Sequence, residues 1–156
     1  MFAFSLHKAN STMLIRRLAA FLVFGIISLS VSAQSLNWSD TRAQAAEEDK
    51  KVLLVFSGSD WCRGCILFDQ QVLQDSKFQA LASDRLALYK ADFPRKKKNK
   101  PEQTVIRQNE QLIQQFNPTG TFPFVLLLNE EDEVLLKAEG TIDRDEFMAS
   151  IRKATE

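Results

Sequence analysis

Beyond residue 34 the chain alternates short apolar blocks with amphipathic stretches. Val52-Leu53-Leu54-Val55-Phe56 is unbroken by any polar residue. So short a run predicts a strand covered on both faces, as in a parallel sheet. Leu86-Ala87-Leu88-Tyr89-Lys90-Ala91-Asp92 predicts a second core strand, and Phe124 to Leu128 a third. Asn129 to Asp132 reads as a turn, and Val134 to Glu139 as a return strand ended by Gly140. Helical patterns fill the gaps. Ser39 or Asn37 caps a helix passing through Ala43 and Ala46 to Lys50. Another begins near Cys62 and carries Ile66, Leu67 and Phe68 on to Leu73. Asp75 or Ser76 opens a further one holding Phe78 and Leu81. Glu102 to Phe116 turns Val105, Ile106, Leu112, Ile113 and Phe116 inward, and Asp143 to Lys153 carries Phe147 and Ile151. Early alternation of strand and helix demands a parallel crossover, whereas the short link at Asn129 demands an antiparallel hairpin. The predicted class is α/β, a mixed central sheet with helices on both faces.

The first 33 residues follow a different pattern. Arg16 and Arg17 precede Leu18 to Val31, an apolar run of 14 residues, and Val31-Ser32-Ala33 supplies small side chains for a peptidase. The pattern predicts a cleaved export signal over residues 1–33, with Met13 as an alternative start, and a single domain over 34–156. The run is short for a membrane span of about 20 residues. The expected location is the periplasm or another extracytoplasmic space, after cleavage near Ala33.

Charge and histidine content narrow the chemistry. The formal charge is zero, but Lys8, Arg16 and Arg17 lie in the export segment and every acid lies after it. The exported part then sets 17 bases against 20 acids, about −3 net. That balance disfavours a nucleic-acid partner. His7 is the only histidine and falls in the same segment, so the exported part has no imidazole for Ser-His-Asp or Cys-His catalysis or for a His-based metal site.

What remains is Trp61-Cys62-Arg63-Gly64-Cys65, which holds both cysteines of the chain. A bond between residues three apart closes a tiny loop and adds little to fold stability. Haem attachment asks for His after the second Cys, where Ile66 stands, and zinc or iron–sulfur ligation asks for more ligands. No metal and no cofactor is called for. A strand, a turn and a helix opening on Cys62 point to a redox dithiol. Free N–H groups at the helix start favour a Cys62 thiolate, and Arg63 adds a positive charge, although Arg63 reads equally well as a solvated helix residue. Cys62 is expected to be partly exposed and to attack. Cys65, one turn further in, is expected to be more buried and to resolve the mixed disulfide.

With these residues the chain resembles the thioredoxin superfamily, in particular its exported bacterial members. The resemblance rests on Val52 to Phe56, Gly58-Ser59-Asp60-Trp61-Cys62-Arg63-Gly64-Cys65, Tyr89 to Pro94, and Gly120-Thr121-Phe122-Pro123 running into the third strand. It implies a cis Phe122–Pro123 bond facing the cysteines, substrate contacts from Trp61 and Phe122, and supporting roles for Arg63, Gly64 and Lys90. Two departures stand out. The family's buried Asp on the strand before the turn is missing from Leu54-Val55-Phe56, which leaves Lys90 without its usual partner. Asp60 and Asp69, the nearest acids in sequence, read most simply as solvated or capping residues. The second departure is Arg63-Gly64, which replaces the Gly-Pro of thioredoxin and leaves the direction of electron flow open.

Two functions fit. The first is an exported thiol–disulfide oxidoreductase, a reductase or isomerase before an oxidase. It would act on cysteine-containing exported proteins and draw on a membrane thiol electron carrier or a reoxidant. The alternative is a peptide-binding adaptor or holdase with regulatory cysteines, its patch formed by Trp61, Phe122 and Phe124. A thiol peroxidase needs a threonine and an arginine around a single cysteine, a set that cannot be assembled here. Arg95-Lys96-Lys97-Lys98-Asn99-Lys100 reads most simply as a solvated loop, with docking of an acidic partner or an anionic membrane as the second reading.

Overall fold

The computed structural model describes residues 37–156; the export segment expected over 1–33 lies outside them. In chain order the elements are α1 (Trp38–Glu47), β1 (Lys51–Ser57), α2 (Arg63–Phe68), α3 (Ser76–Arg85), β2 (Leu86–Asp92), α4 (Gln103–Phe116), β3 (Phe124–Leu128), β4 (Val134–Glu139) and α5 (Arg144–Ala154). A widened π turn over Asp69–Leu73 continues α2, and a 3-10 turn occupies Lys97–Asn99. The strands lie in the order β2-β1-β3-β4. β1 runs parallel to β2 and antiparallel to β3, and β3 pairs antiparallel with β4. This is the mixed sheet that the early crossover and the late hairpin predict.

Why β1 has no polar alternation is plain from its two faces. Successive side chains of a strand point to opposite sides. Leu53 and Val55 enter one core with Phe68, Val72, Phe78, Val125, Leu127, Phe147 and Ile151. Val52, Leu54 and Phe56 enter the other with Ala45, Tyr89, Leu112, Phe124, Leu126 and Leu128. Residues of α2, α3 and α5 cover the first face and residues of α1 and α4 the second, so both sides of the central strands are dry. Complete burial of a Leu or Phe contributes roughly 1.5–3 kcal/mol, and β1 alone buries five such apolar side chains. The outer strand β4 alternates, and Val134 and Leu135 stay exposed there.

Local capping sets the helix starts. Asn37, Asp75 and Asp143 each accept a backbone N–H of their own helix, from Asp40, from Lys77 and Phe78, and from Glu146. Each such cap contributes about 1 kcal/mol. The first helix stops at Glu47, short of Lys50, where Asp49 takes a positive φ of 52° to turn the chain into β1.

Candidate active site

The cysteine motif sits where β1 hands over to α2. Gly58 leaves room for the Trp61 ring in that turn, because a Cβ there would lie 2.4 Å from Cε2 of the ring. Cys62 is the N-cap of α2, with extended backbone (φ −87°, ψ 103°), and its Sγ accepts the N–H of Cys65 at 3.1 Å. The two cysteines form a disulfide across a Cα–Cα distance of 5.2 Å. A sulfur held as an N-cap meets an N–H of the helix's first turn, the group that stabilises negative charge once the disulfide is opened.

Exposure differs from the sequence expectation in one respect. Cys65 is indeed the more buried, at 2% exposure, but Cys62 is itself buried, at 8%, rather than partly exposed. The reason is that its sulfur turns back over the helix start, where it bonds Cys65. Arg63 and Gly64 are exposed.

Chain segments far apart in sequence complete the surface. The Phe122–Pro123 bond is cis, as the resemblance implies. A Cβ on Gly64 would come within 3.2 Å of Pro123 Cδ, so Gly64 lets the proline pack against the cysteine turn. The segment is held from behind by buried Asn117, which donates to the Thr121 carbonyl (2.9 Å) and accepts the Thr121 N–H (3.1 Å). The Trp61 ring meets Phe122 edge-on at 5.4 Å, and Phe122 meets Phe93 at 5.6 Å. Trp61 Nε1 donates to the Phe93 carbonyl at 2.8 Å. Trp61, Phe122, Pro123, Gly64 and the cysteines therefore come together as the sequence reading groups them.

Asp69 and Asp60 take partners that reading does not assign. Lys90 has a partner: its ammonium donates to Asp69 Oδ1. The missing strand carboxylate is replaced by one on the π turn after α2, where backbone bonds reach five residues back (Gln74 N–H to Asp69 O, 2.9 Å). Burial by itself raises the Asp69 carboxyl, but hydrogen bonds from Lys90 and Gln74 outweigh it and leave the group below the ordinary carboxylate value. Asp69, Lys90, Ser57 and Cys65 line one small recess of about 110 Å³. Such a recess is roomy enough and polar enough for water to carry protons to and from the inner sulfur.

Asp60, read as solvated or capping, caps no helix. It accepts the backbone N–H groups of Arg95 and Lys96 and the Asn99 amide, each at 2.9 Å. Asp92 accepts the N–H (2.9 Å) and hydroxyl of Ser59. Neither role shows in a local pattern, since the partners lie over 30 residues away. Asn109 is another residue that periodicity misses: fully buried on the inner face of α4, it accepts from the Tyr89 hydroxyl (2.8 Å) and donates to the Asp92 carbonyl (3.1 Å).

A mixed sheet flanked by helices, with a Cys-x-x-Cys pair at a strand–helix junction and a cis-proline beside it, defines a thioredoxin-fold protein with a redox-capable disulfide. A profile of thioredoxin-like proteins matches residues 33–130, and the chain belongs to that family. It is 34% identical over 111 residues to the disulfide bond reductase DsbH of Chlamydia pneumoniae, a match covering 69% of this chain and 64% of that relative. The chain thus spans somewhat less than two thirds of the relative's length. Among solved structures, a DsbH oxidoreductase superposes with a TM-score of 0.69 at 27% identity, covering 78% of this chain and 83% of that one. A disulphide isomerase from Xylella fastidiosa Temecula1 shares the fold, with a TM-score of 0.56 at 20% identity over 81% of this chain and 99% of that one.

Proposed function

We propose that this protein is an exported thiol–disulfide oxidoreductase working in the reducing or isomerising direction, with Cys62 as the nucleophile and Cys65 as the resolving thiol. The observation that carries the assignment of roles is the Cys62 sulfur capping α2, with the Cys65 N–H on it and Pro123 and the Trp61–Phe122 pair alongside. In the reduced protein the Cys62 thiolate attacks one sulfur of a substrate disulfide and displaces the other as a thiolate. Cys65 gives up its proton, attacks Cys62 Sγ and frees the second substrate thiol. Two electrons pass to the substrate, one released sulfur takes the Cys65 proton and the other takes one from water, and the Cys62–Cys65 disulfide is left. Restoring the dithiol requires a two-electron thiol donor, expected to be a membrane thiol carrier. The reductase description of the Chlamydia relative supports the direction. The Arg16-Arg17 pair, the apolar run to Val31 and the small residues to Ala33 support export to the periplasm or an equivalent compartment.

The deciding measurement is the reduction potential of the Cys62–Cys65 pair, by equilibration in glutathione or dithiothreitol buffers. The expected value is near about −270 mV, that of a thioredoxin-like reductant, or moderately above it for an isomerase. A value near about −120 mV belongs to a strong oxidant and would overturn the direction proposed here.

A further inference from the structure

The basic segment is not a loop loosely attached to the fold. Its backbone is pinned to the active-site turn by Asp60, two residues before Cys62, through the N–H groups of Arg95 and Lys96 and the Asn99 amide. The Arg95 guanidinium lies 4.0 Å over the Trp61 ring, a cation–π contact with the side chain that also meets Phe122. The Trp61 Nε1 bond to the Phe93 carbonyl fixes the segment from the other end. Yet Arg95, Lys96, Lys97, Lys98 and Lys100 are all exposed. Among the described residues none of the five is ion-paired. The nearby carboxylates of Asp60 and Asp92 are turned to backbone N–H groups and to Ser59 and Asn99 instead. A chain that is net acidic after residue 33 therefore concentrates five positive charges in one segment and anchors that segment to the turn that carries its cysteines.

From this we infer that the segment Arg95–Lys100 is a docking rim that selects protein partners carrying acidic residues next to the cysteine they present to Cys62. The inference rests on the redox reading above. A protein is favoured over a membrane by position. The rim is fixed beside the surface formed by Trp61, Phe122 and Pro123, so a bilayer seated on it would cover the sulfur that must meet a substrate. Charge complementarity of this kind acts mainly on the encounter rate and is screened by salt.

The test uses the full chain, pre-reduced, with two disulfide-linked reporter peptides of equal length. One carries Asp and Glu beside its cysteine and the other carries Lys. At low ionic strength the acidic peptide is expected to react at least about tenfold faster, within the range that electrostatic steering produces. The ratio is expected to fall toward one as salt approaches 1 M, where the screening length is about 3 Å. Replacing Lys97, Lys98 and Lys100 by Glu should invert the ratio. Replacing them by Gln, the gentler variant, should bring it near one, with circular dichroism reporting that each variant folds. An unchanged ratio in both folded variants overturns the docking rim while leaving the redox function standing. Failure of the reduced protein to react with either peptide overturns the redox reading itself, and the rim with it. Binding to phosphatidylglycerol vesicles that is lost in the Gln variant, with no peptide preference, replaces the acidic protein partner by a membrane.

Discussion

Around Cys62 the surface is aromatic and cationic: Trp61, Phe122 and Pro123 adjoin the turn, and Arg95, which opens the exposed basic segment, lies over the tryptophan. Around Cys65 the surroundings are a small polar recess, where Asp69 and Lys90 neutralise each other beside Ser57. The outer side offers shape, apolar contact and unneutralised charge, which is what recognition of a partner chain needs. The inner side offers paired charge and room for water, which is what proton movement at a resolving sulfur needs. Under the function proposed here, two cysteines 5.2 Å apart at Cα are given unequal work by what faces them rather than by their own chemistry.

The most forceful way to break this asymmetry is to remove one sulfur at a time. Cys65→Ser is expected to leave attack intact and stop release, so a mixed disulfide on Cys62 accumulates and turnover drops to the uncatalysed background. Cys62→Ser is expected to give neither adduct nor turnover. Mass spectrometry of the peptide adducts reads both, and an adduct on Cys65 in the Cys62→Ser protein would reverse the assignment.

The outer side alone is tested by Gly58→Ala. The new methyl would sit 2.4 Å from the Trp61 ring, so the ring must leave its place and give up the Phe93 carbonyl. A loss of about 1–3 kcal/mol is expected in denaturant unfolding, together with slower attack on peptides. Unchanged stability and unchanged tryptophan emission would mean that the ring is not held as described.

The smallest effect belongs to the inner side. Asp69→Asn keeps the shape and removes the charge facing Lys90. The pair is part-exposed, so less than about 1 kcal/mol is expected at pH 7. The sign of its pH dependence follows from Asp69 being held below its ordinary value of 3.8. The stabilisation is fully present above that value and is lost as pH falls through the lower folded-state value. The stability gap between the wild-type protein and Asp69→Asn should therefore close on acidification below about pH 4. A gap that widens there would contradict the ion pair.

Much of the fold can be read from sequence because its signals are local. Leu86 to Asp92, Phe124 to Leu128 and Val134 to Glu139 are strands with the bounds that periodicity marks. The inner face of α4 is read correctly for Leu112 but not for Asn109, since apolar periodicity has no way to score a buried amide whose partner is a tyrosine on β2. The site divides in the same way. Cys62 and Cys65 are legible from spacing and composition. The partner of Lys90 is not, because the carboxylate that serves it lies 21 residues away, on the turn after α2 rather than on β1.

By itself, then, the sequence determined the quantities that depend on a few neighbouring residues: strand and helix periods, caps, and a cysteine pair at a strand–helix junction. Tertiary structure decided which polar groups meet. Asp60 holds the basic segment across 35 residues and Asp69 takes the lysine of β2, while Gly58 and Gly64 clear space for Trp61 and Pro123. Hydrogen bonds and ion pairs act over about 3 Å, so any of several similar acids satisfies the composition. Only the packing of β1 between two cores brings one particular carboxylate within reach.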